Sequence, residues 1–101
     1  MRQQKFSIII PSYNEEDDIR LSIESAIKQD YPNKEILVVD DSNDTTPSII
    51  REYAGQGVTL INGERRGCCG ALNLGITKAS GDVVVLLNGD LLFGKVSNLF
   101  D

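Results

Sequence analysis

Val83-Val84-Val85-Leu86-Leu87-Asn88-Gly89-Asp90 decides the fold. Five consecutive apolar residues, three of them β-branched, end in Asn-Gly-Asp. A short unbroken apolar run reads as a strand buried on both faces, as in a parallel sheet covered by helices. An amide, a glycine and a carboxylate at its C-terminal end stand where open α/β sheets bind ligands.

Outward from this strand, the chain repeats one unit. Phe6 to Ile10 is a first apolar strand that Pro11 is expected to end, and Glu35 to Val39 is a second. Val58 to Ile61 is a short third strand. Between them, Ile19, Ile23, Ala26 and Ile27 recur at helical spacing, with Asn14 as N-cap and a helix to about Gln29. Glu15, Glu16, Asp17 and Asp18 suit the positive end of that helix. Thr46-Pro47 opens a second helix carrying Ile49, Ile50 and Tyr53, which Gly55 and Gly57 stop. A polar loop from Asn62 to Gly70 precedes a third helix marked by Ala71, Leu72, Gly75, Ile76 and Ala79 and closed by Gly81. Strands alternating with helices predict an α/β, Rossmann-like parallel sheet with helices on both faces.

Composition narrows the function. The 101 residues suffice for one domain, and 41% hydrophobic with 25% charged residues fits a globular one. A net charge of −5 with no basic stripe argues against nucleic acid as a partner. With no histidine, a Ser-His-Asp triad, a His-ligated zinc and a histidine base are excluded within this chain. Adjacent Cys68 and Cys69 read as free thiols in a reducing, cytoplasmic setting, alone or at a membrane. Phe6 to Ile10 is too short for a signal-peptide core or a membrane span. The chain ends at Asp101, soon after Asp90, so a fragment of a longer protein is expected.

Three polar loops gather at the C-terminal edge of the sheet: Tyr13-Asn14-Glu15, Asp40-Asp41-Ser42 and Asn88-Gly89-Asp90. Taken alone, Glu15 and Glu16 read as helix-start charges and Asn88-Gly89 as a turn pair. Adjacent carboxylates ending a buried strand repel, and a cation or a donor-rich ligand relieves that cost. A hard divalent cation held by carboxylates and substrate phosphates, Mg²⁺ or Mn²⁺, fits such a cluster. So does a base or ribose donating to the carboxylates; both point to a nucleoside diphosphate. Neither a Gly-x-Gly-x-x-Gly nor a Gly-x-x-x-x-Gly-Lys-Ser/Thr pattern occurs, which excludes a dinucleotide cofactor on the first helix and P-loop chemistry.

Ile8-Ile9-Ile10-Pro11-Ser12-Tyr13-Asn14-Glu15-Glu16, the strand and loop from Ile36 to Thr46, Arg66-Gly67 with Gly70 to Ile76, and Ala79-Ser80-Gly81-Asp82 together resemble family 2 glycosyltransferases. Leu87-Asn88-Gly89-Asp90 lies where that family carries Asp-x-Asp, with Asn88 in place of the first carboxylate. The resemblance covers nearly the whole chain in order. It implies a GT-A nucleotide-diphospho-sugar fold and inverting sugar transfer, with residues 1–101 as the donor-binding half. By the same resemblance Pro11, Tyr13 and Glu15 line the nucleotide pocket, and Asp40, helped by Asp41, accepts from the base. Arg66 lies by the nucleotide or its phosphates, Asn88 accepts from a ribose hydroxyl, and Asp90 holds the metal. The partner is then a UDP- or GDP-sugar donor. The acceptor (saccharide, lipid phosphate or protein) is left open, and the general base is expected beyond Asp101. Two other readings are a receiver-like Mg²⁺-binding phospho-acceptor domain and a non-catalytic nucleotide-binding fragment. The fourth strand, if uncovered at the sheet edge, would also invite self-association.

Overall fold

The structure, a computed structural model, describes residues 5–14, 16–29, 33–64, 67–87 and 94–95. Its elements in order are β1 (Phe6–Ser12), α1 (Ile19–Ile27), β2 (Lys34–Asp40), α2 (Thr46–Arg51), a 3₁₀ turn (Ala54–Gln56), β3 (Val58–Asn62), α3 (Gly67–Lys78), β4 (Val83–Leu86) and β5 (Gly94–Lys95). They form one five-stranded sheet in the order β3-β2-β1-β4-β5, with β5 alone antiparallel. The four parallel strands and the helices between them are those the sequence predicts.

The order explains which face each helix covers. The chain steps from β1 to β2 to β3 in one direction, so right-handed crossovers put α1 and α2 on one face. It then returns past β1 to β4, which puts α3 on the other. Strand residues alternate accordingly. Ile8, Ile10, Ile36, Val38 and Val85 pack with Ile19, Ile23 and Ile50, whereas Ile9, Val39 and Val84 pack with Ala71. At Gly75 helix α3 passes close to the sheet: a Cβ there would stand 2.7 Å from Ile9 Cγ2. A receiver-like domain has the order 2-1-3-4-5. The observed order excludes that reading.

Several local expectations are corrected. Pro11 does not end β1; the strand runs through it, with Pro11 opposite Val39 and Ser12 opposite Asp40. Ile9 O accepts from Leu87 N, so the residue two further on, Pro11, turns its missing N–H toward β4, beyond the Ile9–Leu86 end of that pairing. Asn14 is not an N-cap; α1 begins after Asp18, and Asn14 sits at a φ of 48° in the loop. The C-terminal carbonyls of α1 are instead met by Lys34, whose Nζ donates to Ile27 O and Gln29 O, each at 2.6 Å. Helix α1 ends at Ile27 rather than near Gln29, and α3 begins at Gly67, so the loop after β3 is shorter than expected. Gly57, at a φ of 82°, ends the 3₁₀ turn after α2. Gly81 is not the cap of α3. It passes so close to β1 that a Cβ would stand 2.5 Å from Ser7 Oγ and 2.8 Å from Lys5 O. The edge of β4 is also partly covered, because Lys95 and Gly94 pair with Val85 and Leu86.

At the opposite, N-terminal edge a polar knot ties β1, β2 and the α3–β4 loop. Glu35 Oε2 accepts from Ser7 Oγ at 2.6 Å and from Ser80 N at 2.7 Å. Lys5 Nζ donates to Ser80 Oγ, and Lys5 N to Asp82. Burial pushes the Glu35 carboxyl up, but the bonds from Ser7 and Ser80, with Lys5 nearby, outweigh it and hold the group below its ordinary value.

Candidate functional site

The C-terminal edge is built by loops that hold one another. Asp40 ends β2, almost fully buried, and both its oxygens accept from Ser42: Oδ1 from the hydroxyl at 2.6 Å, Oδ2 from the N–H at 3.1 Å. This is the turn that an aspartate makes with the residue two positions on. Ser42 Oγ in turn accepts from Asn14 N at 2.6 Å, and Asn14 Oδ1 accepts from Asn43 N at 2.8 Å. Glu16 accepts from Thr45 N and Oγ1. The β1 and β2 loops are thus fixed to each other across 28 or 29 residues of sequence. Asp44 accepts from Thr46 N at 2.9 Å and from its hydroxyl, which organises the start of α2 and holds the Asp44 carboxyl below its ordinary value.

The loop after β3 adds to the edge. Gly63 N donates to Asp40 O at 2.9 Å, and Asn62 Oδ1 accepts from Glu64 N at 2.8 Å. Asp41 lies against Gly63, where a Cβ would stand 2.4 Å from its Oδ1. Gly63 leaves the room in which the Asp41 carboxylate sits. A cavity of about 440 Å³ opens here, lined by Asp40, Asp41, Ser42, Pro47, Arg51, Leu60 and Asn62. That volume lies within the roughly 300–1,000 Å³ of small-molecule sites.

The expected site residues distribute unevenly. Asp40 and Asp41 meet at the cavity, Pro11 lies one residue before the end of β1, and Tyr13 stands 59% exposed in the loop beyond. Glu15, Arg66, Asn88 and Asp90 lie outside the described residues. Ser42 lies at the edge as its loop predicts, whereas Arg51, Asn62 and Gly63 join it without having been anticipated. Asn62 had a signal: like Asp40, it is a polar residue ending an apolar strand.

Residues 7–95 match the sequence profile of Glycosyl transferase family 2. The chain belongs to that family. Among family relatives, the Escherichia coli UDP-Glc:alpha-D-GlcNAc-diphosphoundecaprenol beta-1,3-glucosyltransferase WfgD is 42% identical over 86 residues, covering 83% of this chain and 34% of that protein. Glycosyltransferase AglE of Haloferax volcanii is 38% identical over 90 residues, covering 83% and 30%. The mannosyltransferase PcManGT of Pyrobaculum calidifontis, solved with GDP-Man and Mn²⁺, superposes with a TM-score of 0.81 at 36% identity, covering 90% of this chain and 29% of its own. Staphylococcus aureus TarS, residues 1–349, solved with UDP, superposes with a TM-score of 0.73 at 33% identity, covering 85% and 27%. The family 2 chain therefore has the GT-A type of fold and spans about a third of the length of the curated relatives it matches.

For a divalent cation, the described part of this family 2 edge falls short. Among the described residues no three Asp, Glu, Cys or His side chains gather as they would to hold an ion without substrate phosphates. Asp40 commits both oxygens to Ser42. The expected ligand, Asp90, lies outside the described residues. Nor, among the described residues, is any helix long and apolar enough to cross a membrane.

Proposed function

We propose that this chain is the donor-binding portion of an inverting family 2 glycosyltransferase that uses a UDP- or GDP-sugar. The observation that carries the reading is the cavity at the carboxyl ends of β2 and β3, walled by Asp40 and Asp41 in a member of this family. The neighbours solved with GDP-Man and with UDP support the donor class.

The two carboxylates divide the work. Asp40, buried and bonded twice to Ser42, sets the loop. Asp41, half-buried on the cavity wall, accepts from a ring N–H of the base. Pro11, Tyr13 and Glu15 line the nucleotide from the β1 side, Arg66 offsets phosphate charge, and Asn88 accepts from a ribose hydroxyl. A divalent cation held by Asp90 would offset charge on the leaving diphosphate. Mn²⁺ in the PcManGT complex supports that role.

Calorimetric titration of the 101-residue chain with UDP and GDP, with and without Mn²⁺, tests the reading. Saturable binding of at least one, without sugar transfer, is expected. Absence of binding by both, in a chain that melts cooperatively, would overturn it.

A further inference from the structure

Asn14 is the residue through which the β1 loop grips the β2 loop. Its N–H donates to Ser42 Oγ at 2.6 Å, and its Oδ1 accepts from Asn43 N at 2.8 Å. Its φ of 48° is left-handed, a conformation that asparagine tolerates better than most residues with a side chain. The residue is exposed, so core packing does not account for its place.

The bond to Ser42 fixes the direction of a proton. A hydroxyl carries one O–H and two lone pairs, whereas a backbone N–H only donates and an ionised carboxylate only accepts. Ser42 Oγ therefore accepts from Asn14, and its single proton goes to Asp40 Oδ1 at 2.6 Å. Ser42 N holds the other oxygen of Asp40 at 3.1 Å. Asp40 ends β2, and Asp41 follows it on the cavity wall. A path of hydrogen bonds thus runs from Asn14 through Ser42 to Asp40, and the same asparagine braces Asn43 on the far side of the turn.

We propose that Asn14 is a positioning residue for the cavity. It acts through Ser42 and Asn43, and keeps the Asp40-Asp41-Ser42 turn in the one arrangement that the nucleotide meets. The inference rests on the nucleotide reading above and adds the residue that pre-organises its site. A turn in place only part of the time lowers the apparent affinity by that fraction, and a fixed turn removes the loss.

The test uses three substitutions. Asn14→Ala loses the acceptor for Asn43 and disfavours the left-handed backbone. Asn14→Gly loses the same acceptor but keeps the backbone and the N–H to Ser42. Asn14→Asp keeps both. In the free chain, hydrogen exchange at the Asn43 amide is expected to speed up at least about fivefold in Asn14→Ala and Asn14→Gly, the scale of one neutral hydrogen bond, and to stay within about twofold in Asn14→Asp. Calorimetric affinity for UDP or GDP is expected to fall about fivefold in Asn14→Ala and less in Asn14→Gly. The Asn14→Ala, Ser42→Ala double variant should bind within about twofold of Ser42→Ala alone, because the path runs through Ser42. If Asn14→Ala does not melt cooperatively, Asn14→Gly carries the same comparison. Full nucleotide affinity in both overturns the inference, as does failure of Asn14→Asp to restore slow exchange at Asn43. Losses at Asn14 and Ser42 that multiply overturn it too, since Asn14 would then meet the nucleotide itself. Failure of the wild type to bind UDP and GDP overturns the nucleotide reading, while the exchange rates of the free chain still judge the grip of Asn14 on the β2 loop.

Discussion

Gly63→Ala separates the site from the fold. A Cβ at this position would stand 2.4 Å from Asp41 Oδ1, 2.7 Å from its Cγ and 3.0 Å from Oδ2. Ordinary contact begins near 3.4 Å, so the carboxylate must retreat by 3.4 − 2.4 = 1.0 Å. Hydrogen bonds have an optimum near 2.9 Å, and a shift of this size takes the acceptor out of range. Losing a bond to a charged group costs about 1.5–3 kcal/mol, or roughly 10- to 150-fold in affinity. The fold should not suffer. Among the described glycines only Gly57 has a positive φ, the Asp41 side chain can yield, and Gly→Ala removes about 0.4–1 kcal/mol of unfolded-state entropy. The assay is nucleotide titration beside a thermal melt, with Asp41→Ala as reference. Weaker binding at an unchanged or slightly raised melting temperature is expected. Full affinity in Gly63→Ala, where Asp41→Ala loses it, would refute the placement of Asp41 as the base acceptor.

Three further outcomes follow from the packing. Gly75→Ala forces a methyl against buried Ile9; overpacking costs about 1–3 kcal/mol, the helix gain returns up to about 1, and calorimetry should show a melting temperature lowered by several degrees. Asp40→Ala removes two bonds to Ser42 and should lower both stability and nucleotide affinity more than Glu16→Ala, whose side chain, among the described residues, bonds at the exposed Thr45; equal losses would contradict the distinction. The pKa of Glu35 is depressed on folding, so its stabilisation is full above the ordinary value of 4.5 and is lost as pH falls through the lower folded value. Acid melts of wild type and Glu35→Gln should therefore converge below that pH and stand apart above it.

The parallel sheet was legible because each strand is a short apolar run buried on both faces, and α1 and α2 because their apolar residues recur at helical spacing. Where reading failed, a partner distant in sequence decided. Pro11 stays in β1 because β4 stops pairing before reaching it. Asn14 looks like a cap, yet it bonds Ser42 and Asn43, which no local pattern encodes. The start of α3 hid in Gly67-Cys68-Cys69, residues that favour helix poorly. The two-residue β5 is too short to carry a period. At the site, paired carboxylates ending a buried strand announced themselves. Their unequal orientation did not, since it depends on Ser42 and on the space above Gly63. Arg51 reads as an ordinary helix charge until α2 is set against β3.

Amide chemical-shift mapping of the ¹⁵N-labelled chain during UDP or GDP titration tests the central claim most directly. The account predicts saturating shifts at Asp41, Ser42, Asn62 and Gly63, around the cavity at the carboxyl ends of β2 and β3. Shifts confined to the opposite edge, around Ser7, Glu35 and Ser80, would contradict it.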